Sequence, residues 1–225
     1  MGTGFGAFGK IPALGDFIRL GLPSGVANVW DAWMQRVLLA AQDRLAERWS
    51  ECYLSAPIWR FTLASGAVGE RGLVGIVMPS VDRVGRRYPL TLGAQFVGRN
   101  AALVHFANRQ TFENLEDLAL SVLDEEIGRN DLAGALEKQD LRLPADVDCA
   151  PGRSPVMIYR DVMPEHALAA AQITGKHGDV CLWSAVVDRE ERLMLSRGLP
   201  DPVQATGLFD LEAPAWNSSV LEVVK

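Results

Sequence analysis

The chain has 225 residues, 48% of them hydrophobic and 22% charged, and its net charge is −6. This is ordinary globular composition, enough for one large domain or two small ones, and the acidic balance argues against nucleic acid as a partner. Cys52, Cys149 and Cys181 are odd in number with no CxxC spacing, which suggests neither a disulfide framework nor a zinc site. No apolar run approaches the ~18 residues of a membrane span, and Met1-Gly2-Thr3-Gly4-Phe5 lacks a basic-then-apolar leader pattern. The expectation is a reduced cytoplasmic protein without membrane insertion.

A first strand is predicted over 5–11. It contains a decoy, because Gly4-Phe5-Gly6-Ala7-Phe8-Gly9 fits GxGxxG and Gly9-Lys10 extends it toward a phosphate-binding loop. Only three residues precede Gly4, Ile11 stands where such a loop needs a hydroxyl, and Pro12 and Gly15 prevent a helix from starting after Lys10. No nucleotide cofactor is expected. Pro12, Gly15 and Asp16 then reverse the chain.

Over 26–50 the apolar residues recur at helical spacing, with Ser24 placed to cap the helix and with Trp30 and Trp33 large enough to anchor it to a sheet. Ala56-Pro57 stops it. Trp59, Phe61 and Leu63 alternate on one side of a strand over 58–63, which pairs as a hairpin with 73–78; a third strand at 90–97 continues the meander.

A second amphipathic helix is predicted over 112–127 with an acidic outer face, then a short helix to 139 capped by Asp131. Residues 141–155 carry Pro144, Pro151 and Pro155 and read as an irregular crossover, followed by a short strand at 156–159. A helix at 164–173 begins on proline, where a missing N–H costs nothing. A buried strand at 180–187 has a hairpin partner at 192–196, and Phe209, Leu211 and Trp216 dock the tail. The element order predicts a single α/β domain over 1–225: a mixed, largely antiparallel sheet with helices on both faces, a layered sandwich.

The stretch with the most chemistry is the connection from Pro79 to Pro89, which holds Ser80, Asp82, Arg83, Arg86 and Arg87. Its length and paired prolines imply a shaped loop. Two readings stand. The arginines suit a carboxylate or phosphate on a partner, or Asp82 pairs with one of them and the loop is an internal staple. Charge is also uneven. Residues 80–99 hold four arginines against Asp82, and 113–140 hold nine acidic residues against Arg129 and Lys138, so the two regions either face each other or present opposite poles.

Catalytic patterns are missing. His105, His166 and His177 have no ligand spacing, no serine sits in a GxSxG elbow, and Glu125-Glu126 and Glu190-Glu191 are adjacent and exposed pairs. The expectation is no enzyme, no metal and no cofactor.

Gly9-Lys10-Ile11-Pro12, Gly15-Asp16-Phe17, Gly21-Leu22-Pro23 and Trp30-Asp31-Ala32-Trp33 resemble the opening signature of the TagF (ImpM) family of bacterial type VI secretion-associated proteins. Trp59-Arg60-Phe61, Pro79-Ser80-Val81-Asp82-Arg83-Val84-Gly85-Arg86 and Tyr88-Pro89-Leu90-Thr91 resemble its second and strongest signature. The likeness is close over about 5–97 and thins to Leu182-Trp183-Ser184 and Gly198-Leu199-Pro200. It implies an α/β layered fold and a cytoplasmic post-translational repressor of type VI secretion, working with the forkhead-associated scaffold protein of that system. Some relatives carry a fused phosphatase domain, for which this chain has no room. For a docking protein the resemblance favours a mixed role for the loop: Asp82 fixes the turn, while Arg83 and Arg86 reach a partner. A structural component of the apparatus and an enzyme with a dispersed site, such as a phosphoesterase, are the alternatives. On sequence alone, replacing Arg83 and Arg86 together should weaken partner binding with little change in thermal unfolding.

Overall fold

The computed structural model describes residues 4–98, 100–123, 127–144 and 163–217. Seven strands form one sheet: β1 (Gly6–Gly9), β2 (Ile18–Leu20), β3 (Trp59–Leu63), β4 (Gly72–Met78), β5 (Leu90–Phe96), β6 (Cys181–Val187) and β7 (Glu190–Ser196). Their spatial order is β2-β1-β5-β4-β3-β6-β7, and every described pairing is antiparallel.

The alternation of β3 sorts the two faces. Phe61 points at α1 (Ser24–Leu45), where Trp30 lies 4.9 Å from it and 6.1 Å from Trp183, centroid to centroid. Arg60 and Thr62 point the other way. Arg60 meets Glu116 of α4 (Arg109–Ser121) and Thr62 meets His105 of α3 (Ala101–Ala107). Helices therefore cover both faces, as the element order predicted. On the α1 face three indoles satisfy their own N–H groups, Trp30 donating to Thr91 Oγ1 at 2.9 Å, Trp33 to the Pro200 carbonyl at 2.8 Å and Trp59 to the Leu208 carbonyl at 2.8 Å, while the buried Trp183 Nε1 has no hydrogen-bond partner among the described residues. These bonds bring in the C-terminal segment with α7 (Pro202–Ala205), where Phe209 stacks on Tyr53 and Trp216 on Trp59, the docking expected of that tail.

Several local expectations are corrected. Strand β2 follows directly on the predicted reversal, and its three residues are too few to show alternation. Ser24 does not cap α1. Pro23 is the N-cap residue, its carbonyl accepting from Ala27 N–H, and the helix makes no side-chain cap bond. The long first helix breaks at Ala46, which has φ +46, passes through one 3-10 turn and resumes as α2 (Trp49–Ser55) on a new axis that carries Trp49 and Tyr53 against Phe209. Helix α3 was missed because residues 101–105 are buried without exception, which erases the amphipathic period.

Helix α4 lies earlier than predicted and ends at Ser121. In α5 (Arg129–Leu136) the N-cap is Gly128, and Asp131 reaches back from the first turn to accept Gly128 N–H at 3.0 Å. Helix α6 (Pro164–His177) starts on its proline as expected and runs a turn longer. The predicted strand at 156–159, the residues of the crossover beyond 144, and Glu125-Glu126 lie outside the described residues.

The stacked indoles set the sheet against α1, so removing one opens a large void. Trp30→Ala should lower stability by about 3–5 kcal/mol. Urea unfolding followed by far-UV circular dichroism measures it, and a loss below about 1 kcal/mol would mean that the site collapses around the gap.

Candidate functional site

Strands β4 and β5 are joined by the 79–89 loop, which is stapled shut. Asp82 N–H donates to the Arg86 carbonyl at 3.1 Å, Gly85 N–H to the Asp82 carbonyl at 2.8 Å, and Tyr88 N–H to the Ser80 carbonyl at 3.1 Å. Gly85 holds φ +82, a conformation that a side chain resists. The Asp82 side chain is fully shielded from solvent and accepts four hydrogen bonds. Oδ1 takes Val84 N–H at 3.1 Å and Arg86 N–H at 2.9 Å; Oδ2 takes Lys10 Nζ at 2.8 Å and Arg86 Nε at 2.6 Å. Burial alone pushes this carboxyl up, but Lys10, Arg86 and the backbone donors outweigh it and hold it well below the usual carboxylate range.

Lys10 arrives from the end of β1. Gly9, at φ +132, lies so close to the Pro89 carbonyl that a Cβ there would stand 2.1 Å from its oxygen; this approach sets the first strand beside the loop. The following turn is tied in as well. Arg83 N–H donates to the Leu14 carbonyl at 3.0 Å and Arg86 Nη2 to the Gly15 carbonyl at 2.6 Å. Phe17 packs edge-on against Tyr88 at 4.7 Å, with Lys10 Nζ 5.3 Å from its ring centre.

Behind the loop, Tyr53 O–H donates to the Ser80 carbonyl at 2.7 Å and accepts Ser80 N–H at 3.1 Å, and Tyr88 O–H donates to Asp31 at 2.7 Å. Burial raises both phenols well above the ordinary tyrosine value, with Asp31 adding to the shift at Tyr88, so both stay protonated donors at neutral pH.

A second polar group lies on the opposite face. Arg60 forms a two-point pair with Glu116 at 2.6 and 2.7 Å, and His105 bridges Thr62 at 3.0 Å and Ser184 at 2.9 Å. A serine against an imidazole invites a catalytic reading. Burial, with Arg60 nearby, pushes His105 down to about 3. The ring is therefore neutral and a very weak base, suited to linking α3 to the sheet and ill-suited to taking a serine proton. Among the described residues no group of three or more His, Cys, Asp or Glu side chains could hold a metal ion. Cys52 and Cys181 are free and buried, and burial pushes Cys181 up to about 11; Cys149 lies outside the described residues.

The stapled loop falls inside the stretch, residues 6–139, that matches the model of the TagF N-terminal domain, described as type VI secretion system-associated. The chain belongs to the TagF family. Its fold is similar to the crystal structure of PA0076 from Pseudomonas aeruginosa PAO1, with a TM-score of 0.76 and 29% identity over 91% of this chain and 93% of that one. No curated protein matches. Among the described residues no helix is long and apolar enough to cross a membrane.

The TagF loop divides the residues singled out from sequence into two sets. Ser80 and Asp82 are buried and engaged internally, so they shape the loop. Arg83, Arg86 and Arg87 are exposed. Arg86 nonetheless spends its guanidinium on Asp82 and Gly15, and Arg87 donates to Ser50 at 2.6 Å. Arg83 hydrogen-bonds only through its backbone, its side chain having no hydrogen-bond or ion-pair partner among the described residues. Arg86 is part of the staple and the Arg83 side chain is not, so replacing Arg83 and Arg86 together confounds the staple and docking readings. Lys10, the second cation on Asp82, was missed; it sits 72 residues away and only the fold brings it there. Among the described residues no ion pair joins the loop arginines to the acidic 113–140 stretch.

The staple has a pH signature. Asp82 has a depressed folded pKa, so its stabilisation is complete above about pH 4, the unfolded value, and is lost as pH falls toward the folded one. Asp82→Asn should lower the urea midpoint at pH 7 and flatten its decline below about pH 4. An acid limb as steep as the wild type's would remove Asp82 from the staple. Tyr53→Phe leaves Ser80 N–H without its acceptor and should cost about 1–3 kcal/mol by the same assay.

Proposed function

We propose that the chain is a non-enzymatic repressor of bacterial type VI secretion that acts in the cytoplasm by binding the forkhead-associated scaffold protein of that system. The observation that carries this reading is the stapled loop: the stretch that most resembles TagF builds a basic tip that faces solvent and is held in shape by a buried carboxylate. A preformed loop loses little conformational entropy on docking, which suits a protein that works by occupying another. The one serine-histidine contact described here has its imidazole held neutral by burial, which supports a role without covalent chemistry.

The test is direct. The purified chain should form a stable complex with the purified scaffold, and its overproduction should reduce secretion without altering the levels of the machine's components. Stoichiometric retention in the assembled apparatus would instead make it a structural component. Turnover of a phosphoprotein or small phosphoester by the purified chain would make it an enzyme. Either result overturns the repressor reading.

A further inference from the structure

We infer that the tip of the 79–89 loop and the adjoining 14–19 turn form one docking face, and that its occupant is a carboxylate-rich segment of a partner protein that also carries apolar side chains. This deepens the proposed function and rests on its premise that the chain acts by binding a protein.

The face is continuous because the two loops are bonded together, through Arg83 N–H on Leu14 and Arg86 Nη2 on Gly15. Its charge opposes that of the whole chain. Arg19, Arg83, Arg86 and Arg87 are exposed there, with Asp16 as the exposed acid of the two segments. Asp82 subtracts nothing at the surface, since it is buried and Lys10 balances it. In a molecule of net charge −6 this is a local basic tip, and it attracts acidic partners while the remaining surface repels them.

The face also exposes apolar side chains. Val84 is 68% exposed in the 79–89 loop and Phe17 38% exposed in the adjoining turn. Phe17 is anchored on one side by ring contacts with Tyr88 and Phe8, centroids 4.7 and 5.8 Å away. An aromatic and a branched aliphatic held rigid among guanidiniums match the arginine and aromatic composition of interface hot spots.

The loop's donors favour carboxylates over phosphate. A phosphate site needs several donors converging on one point, usually with backbone N–H groups among them. Here the N–H groups of residues 82–86 and 88 are all spent inside the fold, on Arg86, Leu14, Asp82, Asp82, Asp82 and Ser80 respectively. Two of the guanidiniums are partly spent as well: Arg86 donates to Asp82 and the Gly15 carbonyl and Arg87 to Ser50 of α2, while the Arg83 guanidinium lies beside Gly15 without a hydrogen-bond partner among the described residues. Side-chain cations without free backbone donors among residues 82–86 and 88, next to exposed apolar side chains, suit carboxylates along an extended segment.

The test titrates the isotope-labelled full chain with a synthetic peptide of alternating glutamate and leucine, with the same peptide carrying phosphoserine for glutamate, and with inorganic phosphate, all read by NMR shifts. The glutamate peptide should perturb residues 14–19 and 82–87. Arg83→Glu and Val84→Glu should each weaken it at least tenfold, Arg83→Lys should retain most of it, and Arg109→Glu on α4 should change nothing. Thermal unfolding of Arg83→Glu should match wild type, because the side chain bonds nothing described. Shifts elsewhere, no effect of Arg83→Glu, or binding only to the phosphorylated probes would overturn the proposal. The outcome separates from that of the repressor reading. Scaffold binding that survives both Arg83→Glu and Val84→Glu keeps the repressor and removes this face. Peptide binding with no wild-type scaffold complex keeps the face and removes the named partner.

Discussion

The structure turns on one buried carboxylate. Asp82 accepts two backbone N–H groups of its own loop, the Arg86 side chain and a lysine from the first strand. A charge sealed from water is costly unless its lone pairs are filled, and here all the lone pairs facing the loop and Lys10 are used. The same four bonds fix two things at once: the shape of the loop and the position of the 10–17 turn against it. Losing any one donor leaves the carboxylate under-satisfied, so the arrangement has little room to drift.

The sheet makes that convergence available. Strand β1 enters between β2 and β5, so Lys10, just past its end, emerges beside the start of β5, where the loop finishes. Helix α1 supplies Asp31 to Tyr88, and α2 supplies Tyr53 to Ser80, so the α1 layer braces the loop from behind. Helix α2 begins after the break at Ala46 and places Tyr53 against both Ser80 and Phe209. The C-terminal segment then closes the layer over Trp33 and Trp59.

The parts of this fold readable from sequence were those with a periodic signal. The meander of β3 to β5 showed alternation or a short β-rich run between turns, and the first helix showed a stripe with two tryptophans on it. What was lost had no such period. Helix α3 is buried too completely to be amphipathic, β2 is three residues long, and the break at Ala46 falls inside an apolar stripe that runs on from Leu45 to Trp49. At the site, the i to i+4 link from Asp82 to Arg86 was legible because both ends lie in one loop. The Lys10 contact was not, since a lysine inside a glycine-rich strand end looks like part of a failed phosphate motif until β1 is placed beside β5.

That division bears on how the loop works. Shape is carried by groups that face inward: Asp82, Lys10, the backbone of 82–88 and the two phenols. Surface character is carried by Arg83, Val84 and Phe17, of which Arg83 and Val84 contribute only their backbones to the staple. A residue in the first set cannot change without loosening the tip, whereas Arg83 and Val84 can change charge or size with the tip intact. Arginine at 86 belongs to both sets, and a lysine there would not replace it. A single ammonium lacks the planar fork that reaches Asp82 through Nε and the Gly15 carbonyl through Nη2 at the same time. The loop can therefore hold its conformation while the charge and size of its outer residues vary.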